Sequence, residues 1–135
     1  MDNYLVDTNV IIDMLLDRED ADAACAVIDG AERGDYTLYI CSLSFTNIYY
    51  SLRHLLSREQ RIKALTQLRE VLYVAQVDSF VIDAALHAGW KDFEDAVQNF
   101  SAVVNGRIKG IITRNTKDFA LSQLEVIDSR QFLIK

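Results

Sequence analysis

Proline is absent from the chain, and cysteine and histidine occur only twice each. No stretch is rich in glycine and serine or low in complexity, so nothing reads as a linker. Residues 1–135 are therefore expected to form a single domain. Two cysteines, Cys25 and Cys41, cannot supply a disulfide framework, and both are expected to be buried thiols in a reducing compartment. No His or Cys stands at the spacing of a zinc site. No apolar run approaches the roughly 18–20 residues of a membrane span, so no membrane association is expected. The opening MDNYLVDTN carries acids where a secretory signal needs positive charge, which points to a cytoplasmic protein. GxGxxG, P-loop and GxSxG patterns are also missing, which argues against dinucleotide, P-loop nucleotide and serine-hydrolase chemistry.

What is present is a globular composition: half the residues are hydrophobic and a quarter charged, enough for one core. The net charge of −6 is unevenly spread. Asp7 to Asp35 holds nine acids and two bases, whereas Arg53 to Glu70 holds five bases (Arg53, Arg58, Arg61, Lys63, Arg69) and two acids. Such a strip can follow a phosphate backbone even on an acidic protein; equally, it can be a solvated helix face.

The hydrophobic pattern alternates strands with helices. NYLV (residues 3–6) reads as a strand, followed by helical spacing at Val10, Ile11, Met14 and Leu15. Asp20 is placed to cap a second helix that carries Ala24, Val27 and Ile28 and stops at Gly34. TLYIC (37–41) is the next strand, and helical spacing then runs from Phe45 to Leu56. Ser57 with Gln60 forms a capping box for a helix through Leu72. Tyr73–Val77, Gly110–Thr113 and Leu124–Ile127 read as further strands. Asp78, Asp92 and Ser129 are placed as helix caps, the last for a terminal turn. This order implies an α/β fold with a parallel sheet covered on both faces, whose ligands lie outside the carboxyl ends of the strands.

Three segments place acids there. Asp7 follows the first strand directly; capping a helix explains it partly, but Ser, Thr or Asn would cap as well. Asp92, Glu94 and Asp95 crowd one helix start, where the dipole favours each by only about 0.3–1 kcal/mol against their mutual repulsion. ITRNTKDF ends a strand with Thr113 and adds Asn115 and Asp118. Oxygen ligands from Asp7, Asp95 and Asp118, with water completing the shell, suit Mg²⁺ or Mn²⁺. A phosphoacceptor role for Asp7 is the competing chemistry, although Asn9 stands where the phosphatase type wants a second Asp. His54 and His87 lie in helical patterns with no acid or nucleophile in register and read as surface residues.

The ordered set LVDTNVIID, SFTNIYYSLR, DFEDAVQ and ITRNTKDF resembles the PIN-domain superfamily over nearly the whole chain, and is most similar to its prokaryotic toxin branch. The resemblance implies a three-layer α/β/α sandwich around the parallel sheet and a Mg²⁺- or Mn²⁺-dependent ribonuclease site. It carries catalytic and metal-ligand roles to Asp7, Asp95 and Asp118, with Asn115, Thr113 and Asp92 in support. It also implies RNA as substrate, with Arg53, Arg58, Arg61 and Lys63 along its backbone, a small antitoxin as partner, and a homodimer. One position departs: Asn47 stands in SFTNIYY where the family usually has Glu, and Asn brings no charge to a cation. Asn47 is therefore a supporting residue at most. The departure keeps a second expectation alive, a PIN-like binding module whose nuclease activity is weak or lost.

Overall fold

The computed structural model describes residues 1–135. Its strands are β1 (Asn3–Val6), β2 (Thr37–Cys41), β3 (Tyr73–Ala75), β4 (Gly110–Ile112) and β5 (Glu125–Ile127). They form one parallel sheet in the order β3-β2-β1-β4-β5. Two helices, α1 (Thr8–Leu15) and α2 (Ala21–Glu32), connect β1 to β2, and α3 (Ser42–Ser51) and α4 (Arg58–Val71) connect β2 to β3. Between β3 and β4 lie α5 (Ser79–His87) and α6 (Phe93–Asn105); a 3₁₀ turn (Thr116–Phe119) precedes β5, and α7 (Ser129–Leu133) follows it.

Side chains alternate across the pleat, and the alternation builds two layers. Tyr4, Val6, Leu38, Ile40 and Ile112 face a core shared with α1 to α4 and α7. Leu5, Tyr39, Cys41 and Ile111 face the opposite side, toward α5, α6 and the 3₁₀ turn. The result is the expected three-layer α/β/α sandwich, with its central strands buried on both faces. Gly110 is required where β4 passes β1, because a Cβ there would lie 2.7 Å from the Tyr4 ring and 2.8 Å from the Glu125 carbonyl. No helix is long and apolar enough to cross a membrane.

Local signals held where the partner lies within one turn. Ser57 and Gln60 make the reciprocal capping box, and Asp78 and Asp92 accept from the amides of Val81 and Asp95. Asp20 does not cap α2: it sits at a φ of 67°, and its carboxylate takes the Arg130 guanidinium at 2.6 Å instead. Ser129 is the first residue of α7 rather than its cap; Asp128 caps it, accepting from the Gln131 amide at 2.8 Å. The helical pattern from Phe45 breaks after Ser51, and Leu52 and Leu56 reach the core from a turn. Val77, Thr113 and Leu124 lie just outside the strands. Cys41 is buried as expected, but Cys25 is exposed, because Ala21, Ala24 and Val27 supply the inner face of α2. His54 and His87 are on the surface.

Candidate active site at the carboxyl edge of the sheet

β1 delivers Asp7 to the sheet edge, and its amide extends the ladder by donating to the Ile112 carbonyl at 2.9 Å. The side chain is 2% exposed. Burial pushes its carboxyl up from the ordinary value, opposed by hydrogen bonds from Gln98 and Thr113, by the Asn9 amide and by the Arg114 charge. Gln98 Nε2 donates to Oδ1 at 2.8 Å, and the Thr113 hydroxyl donates to Oδ2 at 2.8 Å. Asp7 also caps α1, with Oδ1 3.4 Å from the Asn9 amide.

Gln98 is the residue the sequence reading missed. Its Oε1 accepts from both the amide (2.9 Å) and the hydroxyl (3.1 Å) of Thr8, so its Nε2 has one orientation, toward Asp7. Because Thr8 spends its only hydroxyl proton on Gln98, Ser44 is the donor in the 2.6 Å contact between the two hydroxyls. Thr8, Ser44 and Gln98 are all buried. The one available signal was polarity out of place: Gln98, Asn99 and Ser101 fall among the apolar positions of α6. Asn99 binds Gln123 at 3.1 Å and accepts from Ser122 at 2.5 Å, which ties the segment after the 3₁₀ turn to the same helix.

Asp95 opens the second half of the site from the first turn of α6. Its carboxyl is pushed up to about 7, first by burial, then by the charges of Asp7, Asp92, Asp118 and Glu94. The charges of these carboxylates are therefore all felt at Asp95. Asp118 is exposed on the 3₁₀ turn, its amide held by the Asn115 carbonyl at 3.0 Å. Asn115 donates its amide to the Thr113 hydroxyl at 3.2 Å, so Thr113 joins that segment to Asp7. Asp92 is occupied as the helix cap, and its charge still reaches Asp95.

Asn47, half-buried on α3, lines a small cleft with Leu43, Ser44, Phe93, Glu94 and Gln98. Glu94 thus stands across from the position where an acid was expected. On the other flank, Asp92 and Asp118 border a cleft of about 450 Å³ together with Lys91 and Lys117. No three acidic, His or Cys side chains surround a common point as a ready ligand set. The donors are hard carboxylate oxygens crowded by like charge, a donor type that Mg²⁺ or Mn²⁺ would take together with water.

The basic strip lies apart from the acids, at the far end of α3. Arg53 stacks on Tyr50, its guanidinium carbon 3.6 Å from the ring centroid, and donates to the Tyr50 carbonyl at 2.8 Å. Arg61 stacks on Tyr49 at 4.0 Å and donates to the Tyr49 carbonyl at 3.1 Å. Arg58 and Lys63 are exposed nearby.

A comparison with known proteins agrees with this architecture. Among solved structures, a toxin–antitoxin complex from Klebsiella pneumoniae aligns at a TM-score of 0.68 and 19% identity, covering 93% of this chain and 97% of that one. VapBC2 from Rickettsia felis, bound to a DNA fragment from its promoter, aligns at 0.69 and 14%, covering 93% and 97%. Mycobacterium tuberculosis VapC20, a toxin that cleaves the sarcin–ricin loop, aligns at 0.66 and 14%, covering 91% and 98%. No curated protein matches the sequence. The PIN-domain family profile, however, matches residues 3–117, and the chain belongs to the PIN-domain family.

Proposed function

We propose that this chain is a divalent-cation-dependent ribonuclease, the toxin of a toxin–antitoxin pair. The observation that carries the reading is the crowding of Asp7, Asp92, Glu94 and Asp118 on Asp95 at the carboxyl edge of a PIN domain. Burial first, and then four negative neighbours, raise its carboxyl to about 7, and a cation would relieve the repulsive part. Asp7 and Asp95 would hold Mg²⁺ or Mn²⁺, with Asp118 acting through water. The bound cation would supply a polarised phosphoryl oxygen and a more acidic water. Gln98 and Thr113 fix the orientation of Asp7, and Asn115 fixes Thr113. The antitoxin partner is supported by the toxin–antitoxin complexes among the structural relatives.

The test measures melting temperature and cleavage of single-stranded RNA together. Mn²⁺ at about ten times its dissociation constant should stabilise the wild type by about 1.4 kcal/mol, a rise of several degrees, and Asp7→Asn should abolish both the rise and the cleavage. Equal shifts with Ca²⁺, Mg²⁺ and Mn²⁺ in both proteins would reduce the cation to surface binding and end the proposal.

The second reading, a PIN-fold binding module without turnover, is favoured by Asn47 and by the absence of a ready three-acid ligand set. Asn47→Glu separates the two. Under the nuclease reading, a further carboxylate beside Glu94 and Gln98 tightens Mn²⁺ binding in calorimetry and raises cleavage. Tighter binding with no cleavage in either protein supports the binding module.

A further inference from the structure

We infer that the corner between α3 and α4 is a stacking platform for an unpaired nucleotide of a single-stranded RNA, centred on Tyr50 and Arg53. The inference rests on the ribonuclease reading and extends it from the reacting edge to the way the substrate strand is held.

One stripe of α3 leads from the acids to this corner. Leu43, Asn47 and Tyr50 follow at intervals of four and three, so they share a helix face, and Arg53 continues that spacing just beyond the helix end. Leu43 and Asn47 line the cleft that contains Glu94 and Gln98. Tyr50 is 63% exposed and Arg53 is exposed on top of it. At 1.5 Å per residue the stripe rises about 4.5 Å from Asn47 to Tyr50, and Arg53 follows in the turn after the helix. Along it the charge reverses: carboxylates at the cleft give way to Arg53, Arg58, Arg61 and Lys63, with Glu59 the only acid among them.

The chemistry of the corner fits one kind of occupant. Arg53 is already pinned, its guanidinium stacked on Tyr50 at 3.6 Å and tied to the Tyr50 carbonyl at 2.8 Å. Its outer face is a flat, cationic surface that loses little freedom on contact. Arg61 on Tyr49 repeats the arrangement one step inward. Planar aromatic and guanidinium groups inside a basic patch are the means by which proteins hold single strands without reading sequence, since every base offers a π face. A duplex keeps its bases stacked on each other and would meet only the charge. The local excess of positive charge, Arg53, Arg58, Arg61 and Lys63 against Glu59, favours a polyanion at this corner although the chain as a whole is acidic.

The test uses the whole chain, a short labelled single-stranded RNA of mixed sequence, and EDTA, with binding read by fluorescence anisotropy. Tyr50→Ala and Arg53→Lys should each weaken binding about tenfold, the scale of losing one base-stacking contact, although Arg53→Lys keeps the charge. Tyr50→Phe should bind as the wild type does, and Lys63→Ala should lower the salt dependence by about one phosphate contact. All four should melt with the wild type. Wild-type affinity in both Tyr50→Ala and Arg53→Lys would overturn the platform, as would duplex binding as tight as that of the single strand. Loss of affinity for a co-expressed protein partner, with RNA affinity unchanged, would assign the corner to that protein and overturn it too. Cleavage is assayed separately, with Mn²⁺ and without EDTA, so a chain that binds RNA here without cutting it refutes the nuclease reading alone. An active nuclease whose variants bind normally refutes the platform alone.

Discussion

The two ends of α3 solve the same problem, satisfying polar groups, with partners drawn from different distances along the chain. At its start, Ser44 joins a buried network in which Asp7 is held by Gln98, 91 residues away, and by Thr113, 106 residues away. Past its end, Arg53 binds a carbonyl 3 residues away, Arg61 one 12 residues away, and Ser57 and Gln60 cap each other across 3. Both regions are ordered, but one is a product of the whole fold and the other of its own sequence neighbourhood. A buried network loses heavily when one member is removed, because the remaining groups lie out of reach of water. A solvated corner loses little.

The largest effect expected from this contrast is at Gln98. Gln98→Leu strips Asp7 of one donor and leaves the Thr8 amide unpaired in the interior, with the Thr8 hydroxyl reduced to its Ser44 partner. The expected loss is on the order of 2–4 kcal/mol, roughly 10 °C in melting temperature, measured by chemical and thermal denaturation. A loss under about 1 kcal/mol would show that the network is not coupled.

An intermediate effect, of opposite sign, is expected at Asp95. Its carboxyl rises from 3.8 to about 7 on folding, so the folded state binds a proton that the unfolded chain has released. Stability falls as pH climbs between these values, and the full penalty stands above about 7. Asp95→Asn removes the charge, so it should leave stability unchanged below about pH 4. Near pH 8 without metal it should stabilise by on the order of 1–2 kcal/mol, after allowance for solvent screening of a half-buried group. Melting curves of both proteins across that range supply the check; a pH-independent difference would break the electrostatic account.

The smallest effects belong to the corner. Ser57→Ala removes one half of the capping box and should cost about 1 kcal/mol, read as a small shift in the denaturation midpoint. Arg53→Ala should cost about 0.5 kcal/mol or less, because an exposed cation–π pair contributes little to stability. If either variant matched Gln98→Leu, the division into local and global regions would fail.

The same division explains which features could be read from sequence. The strands were visible because their residues are apolar on both faces, and the caps at Ser57, Asp78 and Asp92 because donor and acceptor lie within one turn. Asp20 was misread because its partner, Arg130, is 110 residues distant, and no local pattern announces that competition. Asp7 and Asp95 could be singled out as acids at a strand end and a helix start. Gln98 could not, since its meaning depends on a strand that precedes it by most of the chain. The stop of the helix at Ser51 was hidden because Leu52 and Leu56 keep the helical spacing while leaving the helix.

The reach of the Asp7 bonds also has a consequence in time. Translation produces Asp7 early, yet the amide and the hydroxyl that orient it are synthesised 91 and 106 residues later. The strand it extends is closed by Ile112, which is made later still than Gln98. Contacts of such separation form late and slowly, after local helices and turns. During synthesis the basic corner can therefore assemble while the acidic edge remains open. A chain interrupted before β4 has Gln98 but lacks Thr113 and the Ile112 carbonyl, so the edge around Asp7 is incomplete. Under the nuclease reading proposed above, this order of assembly postpones activity until nearly the whole domain has been made.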